Sequence, residues 1–433
     1  MKKKITIISI IILALLALII VGILLFNKPN EKPPTPQTQT TQKQEQITGT
    51  VSEASWANGI WLNHIEKNNV TGISITQNPL DTATTNWTYD GITIASSGDG
   101  VITIHLKNKL IITGTVEKMF ADMPELKSIN GLELIDFSKS KNVQSLFQNC
   151  KKLEDVNFSF MDFSAAENTS YMFAGCESLT KIAFANEKLE NVKTADSMFE
   201  DCYMLTEITV PYMPNVISAE KMFKNVGSST NGATLTGKVD MPNCTNYNEM
   251  FKNTLFLDYS FVSSMNTSNM TTANGMFSTC GAEELNLSKW NVNNLTSAEK
   301  MFHNCAHLIT INLNGWDCSN LQSCKEMFSK STGTKEIILN WKNIENIKDV
   351  SFMFNETCSL KELNLTFFNN ATFDNATQMF CCAEWLEKIK CTGFTASVAD
   401  EMFKFCDMLK GNVEFNEAAI GVDMANTEGY FIS

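Results

Sequence analysis

The sequence predicts a repeat solenoid, with one short parallel β-strand plus a turn or short helix in each unit of about 26 residues. Three observations predict it. The pair Met-Phe occurs eleven times, beginning at Met119, Met172, Met198, Met222, Met250, Met276, Met301, Met327, Met353, Met379 and Met402, with Leu146-Phe147 as a variant copy. Chance pairing of 21 Met with 28 Phe in 433 residues gives about one. Neighbouring copies lie 23 to 28 residues apart, and other apolar residues keep fixed offsets from the pair. Units of this kind stack on one another and have no separate globular cores.

The elements follow in chain order. Lys2, Lys3 and Lys4 precede an apolar, charge-free run from Ile5 to Phe26. As a helix it would measure about 33 Å, enough for a bilayer core of about 30 Å. The basic flank comes first, which puts the N-terminus in the cytoplasm and the rest outside. Residues 1–26 are therefore expected to be a signal anchor of a single-pass cell-surface protein. The competing reading is a cleaved signal peptide and a secreted chain; no small-x-small site follows the run to support it. Residues 27–46 contain no large apolar side chain and read as a disordered Pro/Gln/Thr spacer.

Residues 47–115 have another texture. Trp56, Trp61 and Trp87 fall here, Val70–Ile75 and Val101–Leu106 alternate with period two, and Gly91, Gly98, Asp99 and Gly100 mark turns between them. Asn58 to Ile65 reads as a short helix. The expectation is a small mostly-β domain that caps the first repeat.

The solenoid is expected over 116–410, in about twelve repeats, with a C-terminal cap at 411–433. With Met as position 0, Phe fills +1 in every unit. Leu is frequent at +7, as at Leu126, Leu153, Leu179, Leu205, Leu257, Leu308, Leu360 and Leu386. Positions +10 and +12 are apolar, as in Ile208/Val210 and Ile311/Leu313, and −6 and −3 are small or apolar, as in Val216/Ala219 and Leu321/Cys324. The local pattern Leu-x-x-Ile-x-Leu is the strand signature of a leucine-rich-repeat-like unit. The stretch Lys224–Cys244 is longer and Gly-rich, and Met379–Glu401 is short.

Units such as Met301-Phe-His-Asn-Cys-Ala-His-Leu-Ile-Thr-Ile-Asn-Leu-Asn-Gly-Trp-Asp, and the segment Leu287-Ser-Lys-Trp-Asn291, resemble the BspA-like leucine-rich repeats of bacterial surface proteins. The resemblance spans about Val116 to Leu409. It implies an exported surface protein of a family in which some members are adhesins for host matrix proteins or other cells. It does not fix a ligand.

Thirteen Cys in an exported chain raise the question of disulfides. Cys150, Cys176, Cys202, Cys280, Cys305 and Cys406 all occupy +4, where other units carry Val226, Thr254, Ser331, Thr357 or Ala383. That exchange marks a small buried packing slot, although coils spaced like strands would leave such cysteines within disulfide reach. His303-x-Cys305-x-His307 is the most metal-like triplet, but Cys305 belongs to the interior and the histidines to an exposed, freely varying position. Cys381-Cys382 with Cys391 lacks a zinc-type spacing. No metal or other cofactor is expected.

No nucleophile elbow, phosphate loop or zincin motif is present, so the chain is not expected to be an enzyme. A surface hydrolase and a structural envelope spacer remain as alternatives to recognition. The net charge is −13 and Arg is absent, which argues against nucleic-acid binding. The acidic bias favours a basic patch on the partner. Residues between the buried strand positions face outward, so the candidate binding face comprises Asp155, Asn157, Glu207, Thr209, Asn286, Asn312, Asn314, Glu362 and Asn364. Their polar character suits an extracellular host or neighbouring-cell protein or glycan. Oligomeric state is not readable from the sequence.

Overall fold

The computed structural model describes residues 65–78, 80, 85–89, 92–96, 98–154 and 156–433. The anchor at 1–26, the spacer at 27–46, all but the last residue of the helix expected over 58–65 and the candidate residue Asp155 lie outside them. Among the described residues no helix is long and apolar enough to cross a membrane.

The first strands, β1 Gly72–Thr76, β2 Thr85–Tyr89, β3 Ile92–Ser96 and β4 Val101–Leu106, form a mixed sheet. Strands β2, β3 and β4 pair antiparallel, and β4 pairs parallel with β1. The next two strands are β5 Leu110–Thr115 and β6 Ser128–Asn130. β6 extends the first sheet by pairing with β1 and so joins it to the first coil. Gly131 seals that joint: at φ 84° a Cβ there would stand 2.0 Å from the Ile75 carbonyl oxygen. β5 pairs instead with β7 Ile135–Asn142, so coiling begins before Val116.

From there the chain is a solenoid of twelve coils. All twelve Met-Phe or Leu-Phe pairs are fully buried. Their rings form one uninterrupted stack from Phe120 to Phe403, with neighbouring centroids 5.4–5.8 Å apart and ring planes within 18° of parallel. The apolar offsets read from the sequence line the same interior, including Val216, Ala219, Ile208, Val210, Ile311 and Leu313. A second, shorter stack joins Trp290, Trp316 and Trp341 at 6.5 and 6.0 Å. Trp290 and Trp316 turn their indole N–H groups to the carbonyls of Val262 and Leu287 at 2.8 and 2.9 Å.

The backbone explains why coils stack in register. In the coil of Met198, the N–H groups of Ala195, Ser197, Phe199 and Asp201 donate to the carbonyls of Ser218, Glu220, Met222 and Lys224 in the next coil, at 2.7–3.0 Å. Alternate N–H groups can point the same way through a tight turn only if some residues are left-handed. Positions −1 and +3 are left-handed in every unit, from Lys118 and Asp122 (φ 59° each) to Glu401 and Phe405 (φ 53° and 62°). Asn, Asp and Gly, which tolerate this region, hold +3 in most coils, and an amide column forms there: Asn225 donates to Asp201 at 2.6 Å and Asn253 to Asn225 at 2.8 Å. Thr279 interrupts it with a β-branched side chain at φ 57°. Replacing Thr279 by Asn is expected to stabilise the protein by about 0.5–1 kcal/mol, read as a higher denaturation midpoint; an unchanged or lower midpoint would show that the hydroxyl bond of Thr279 to the Ser278 carbonyl outweighs the backbone term.

A third corner is tied by asparagine. At −7, Asn191, Asn215, Asn243, Asn269, Asn294, Asn320 and Asn346 each donate a side-chain N–H to a carbonyl of the preceding coil at 2.6–3.1 Å. Thr372 and Thr395 continue the column with a hydroxyl pair at 3.1 Å.

The strand side is less continuous. β8 Lys181–Ala183, β9 Glu207–Val210 and β10 Thr234–Gly237 form one parallel sheet. β11 Glu284–Asn286, β12 Thr310–Asn312 and β13 Glu336–Ile338 form a second. Beyond them come β14 Glu362–Asn364, β15 Thr372–Asn375, β16 Lys388–Lys390, β17 Thr395–Val398 and β18 Phe431–Ile432. β14 pairs with β16 and β16 with β18, while β15 pairs with β17. The sheets are separated between β6 and β8, where Phe158–Phe160 forms a 3-10 turn, where Ser260–Ser264 forms another in place of a strand, and between β13 and β14.

One interior assignment fails at the second break. Leu257, expected inside at +7, is 68% exposed. The long Gly-rich coil before it shifts the register. Phe256 takes the interior place, Tyr259 bonds through its hydroxyl to the Thr254 carbonyl at 2.9 Å, and Leu257 is turned out over Gly232.

The strand face as candidate binding surface

Glu207 and Thr209 stand exposed on β9. Glu207 pairs with Lys181 of the preceding strand at 2.8 Å, and Thr209 shares a hydroxyl bond with Thr236 of the next at 2.9 Å. Glu362 on β14 pairs with Lys388 on β16 at 3.0 Å. The bond to that ammonium holds the Glu362 carboxyl below its ordinary value and raises Lys388 in turn. Such exposed pairs contribute little stability, so they leave the face chemically available.

The asparagines behave differently. Asn157, Asn286, Asn312 and Asn364 each accept, through the side-chain oxygen, the N–H of the residue two positions on: Ser159 at 3.0 Å, Ser288 at 3.3 Å, Asn314 at 3.0 Å and Thr366 at 3.2 Å. These are Asx turns that swing the chain off the strand. Asn157 lies in no strand; it caps a 3-10 turn at Phe158–Phe160. Asn314, just past β12, keeps an exposed side chain.

Two of the breaks in the sheets open hollows on this face. The first, about 670 Å³, lies beside the Ser260–Ser264 turn and is lined by Leu257, Asp258, Glu283, Glu284, Asn286 and Lys289 among others, so its rim is mainly acidic. The second, about 420 Å³, lies between β13 and β14 over Lys335, Glu336, Lys361, Glu362, Asn364 and Lys390, and is richer in lysine. A third, about 370 Å³, shares Lys335 and Lys361 with it and is completed by Cys358, Ser359 and Trp385. Sequence reading passed over Trp385. The signal was present: a Trp at +6, where other coils carry Lys152, Ser178 or Ser359.

All thirteen cysteines are free thiols. The +4 slot is more than a space for small side chains. Cys150, Cys176, Cys202, Cys305 and Cys406 donate their thiols to the +1 carbonyl of the preceding coil at 2.9–3.3 Å, and Ser331 makes the same bond at 2.6 Å. Burial pushes Cys150 up to about 12, which keeps it protonated and unreactive. His307 is exposed as expected, but His303 is half-buried beside Glu326, and burial lowers its pKa. Cys305 points into the interior, away from both. No group of three or more His, Cys, Asp or Glu among the described residues is placed to hold a metal ion.

The fold and this face define a leucine-rich-repeat-like β-solenoid. The model of the family DUF285, described as "Mycoplasma protein of unknown function", matches residues 114–235, 217–341 and 308–420, and the chain belongs to that family. It is also similar to a solved leucine-rich repeat protein from Bacteroides ovatus, at 14% identity over 75% of this chain and 93% of that one, with a TM-score of 0.35. A leucine rich cell surface protein from Faecalibacterium prausnitzii is similar at 14% identity over 80% of this chain and 98% of that one, with a TM-score of 0.38. No curated protein matches the sequence.

Proposed function

We propose that the chain is a membrane-anchored cell-surface recognition or adhesion protein, of the kind its BspA-like repeat unit resembles. It binds a host or neighbouring-cell protein or glycan through the strand face. The observation that carries this reading is the pair of hollows of about 670 and 420 Å³ opened on one face at two of the breaks in the sheets, each lined by charged and polar side chains. A rod that only filled space would gain nothing from such breaks, and concave sites with convergent polar groups are where ligands bind. The lysine-flanked apolar run at 5–26 supports attachment at the membrane, with the repeats outside.

A second reading, an envelope spacer without a specific ligand, is favoured by one observation. The Asx turns account for Asn157, Asn286, Asn312 and Asn364 without any partner. The test therefore leaves those residues alone. A chain carrying Glu207→Ala, Thr209→Ala, Asn314→Ala and Glu362→Ala should keep its stability to within about 0.5 kcal/mol per site. Cells displaying it should lose at least about tenfold in attachment. Unchanged attachment supports the spacer. Repeats that resist protease added to intact cells would end the surface reading.

A further inference from the structure

We propose that the hollow formed by Trp385, Lys335 and Lys361 is a subsite for a sugar bearing a carboxylate, so that the C-terminal coils receive the acidic end of a glycan. This names a ligand class for the recognition surface described above and rests on that reading.

Trp385 is the first reason. Trp290, Trp316 and Trp341 are buried in the indole stack, whereas Trp385 is 54% exposed. A ring held at the rim of a hollow, with no structural task in the spine, offers an apolar face for the C–H groups of a pyranose. Trp is also the side chain most enriched where binding energy concentrates.

The two lysines are the second. Lys335 and Lys361 occupy the same position, +8, on adjacent coils. Their neighbours Lys388 and Lys410 are paired with Glu362 and Glu387 at 3.0 and 3.9 Å. Lys335 and Lys361 belong to no ion pair among the described residues. In a chain with a net charge of −13, and with Glu384 and Glu356 within electrostatic reach of Cys358 in the same hollow, these two lysines are the groups there that can hold an anion. Ser359 donates its hydroxyl to the Thr332 carbonyl at 2.5 Å, which leaves its oxygen free to accept from a sugar hydroxyl.

The third reason is shape. The hollow between β13 and β14 shares both lysines and runs on to Asn364 and Lys390, which gives room for a second sugar along the strand face. A peptide strand cannot enter the gap between those strands. The Phe328 and Phe354 rings of the same two coils remain stacked at 5.4 Å, whereas an inserted strand needs about 4.8 Å on each side. On their outer sides the two strands stay paired: the N–H groups of Lys335 and Glu336 donate to the Ile309 carbonyl, and those of Glu387 and Lys388 to that of Lys361. The aromatic face, two ammonium groups and hydroxyl oxygen that line the hollow suit an acidic sugar.

The test titrates the full-length protein in detergent with four probes. These are an oligosaccharide ending in glucuronic acid, one ending in N-acetylneuraminic acid, the neutral glucose-ended counterpart, and a short Asp/Glu peptide. At least one acidic sugar is expected to bind at least about tenfold tighter than the neutral one, and the two acidic arms tell which carboxylate geometry fits. Trp385→Ala should weaken that binding at least about tenfold. Lys335→Gln and Lys361→Gln should each weaken it and reduce its dependence on salt. Because all three positions are exposed, the variants should keep the parent thermal midpoint, and that measurement accompanies each titration. The subsite is overturned by equal affinity for acidic and neutral sugars, by binding that survives Trp385→Ala, by tighter binding of the acidic peptide, or by no binding up to about 20 mM. If attachment still responds to the strand-face substitutions while this titration fails, only the subsite falls. If attachment is also indifferent to them, the recognition reading falls with it.

Discussion

Phe199→Ala is expected to lower stability by about 3–5 kcal/mol, the usual cost of emptying a buried aromatic site. Phe199 is fully buried and stacked on both faces, with Phe173 at 5.8 Å and Phe223 at 5.5 Å, while Phe184 meets its edge at 6.3 Å. A globular core can close around such a void from several directions. Here the neighbouring rings are fixed by their own coils, whose backbones are tied on both sides, so little collapse is available. The lesion also sits in a one-dimensional array, where each coil contacts only its neighbours. Removing one ring therefore weakens two interfaces at once. Equilibrium denaturation is expected to lose its single transition, with the flanks unfolding at different denaturant concentrations. A drop below about 1 kcal/mol with one unbroken transition would show that the rings do not form a shared spine.

The parts of the fold legible in the sequence are those that one residue type must fill. Only an aromatic ring of the right size continues the stack, so Phe at +1 recurs without exception and the coil count could be read directly. Positions +10, +12, −6 and −3 were legible for the same reason. What the backbone imposes was not. Position −1 is left-handed in every coil, yet it carries Lys118, Ser145, Tyr171, Glu326 and Phe352, because inter-coil hydrogen bonds hold the conformation whatever the side chain. The asparagine column at −7 was visible as letters, but abundant Asn in an Arg-free, Lys-rich chain reads first as composition.

The candidate face shows the same divide. Asn286 and Glu362 look alike in sequence, both polar and both between buried strand residues. The structure separates them by their bonds: Asn286 closes a turn at the rim of the first hollow, while Glu362 reaches across to Lys388 at the edge of the second. Hydrogen-bonding residues that serve the fold and those that serve a ligand have the same chemistry, so alternation alone cannot sort them. The hollows were beyond sequence reading because they arise from missing strand pairings. Leu257 marks one of them, and it was misplaced by the longer Gly-rich coil that precedes it.

Ending the chain at Lys410 is expected to be more damaging still. The ring stack needs a terminator at its last member, Phe403. Tyr430 meets that ring edge-on at 5.2 Å with planes 80° apart, and Phe431 packs against Phe380, Phe394 and Phe403 at 6.4, 5.4 and 6.0 Å. Both residues are fully buried, worth about 1.5–3 kcal/mol each as apolar surface removed from water. Strand β18 covers the open side of β16, and the Ile420 carbonyl takes the Phe403 N–H at 3.1 Å, a donor that in other coils finds the next coil. Without residues 411–433 the last coil presents a bare ring, unpaired amides and a strand edge, the features by which solenoid ends and sheet edges associate. The truncated chain should run as a large aggregate on size exclusion, or melt well below the full chain if kept monomeric. Tyr430→Ala is the gentler probe: it removes the edge-on ring and the hydroxyl that accepts the Asn416 N–H at 2.9 Å, and should cost about 3–5 kcal/mol. Its effect should begin at the C-terminal end, so that Phe403→Ala adds little once Tyr430 is gone, whereas Phe199→Ala adds its full cost. A truncated protein that stays monomeric with the parent midpoint would mean that the spine ends without help from residues 411–433.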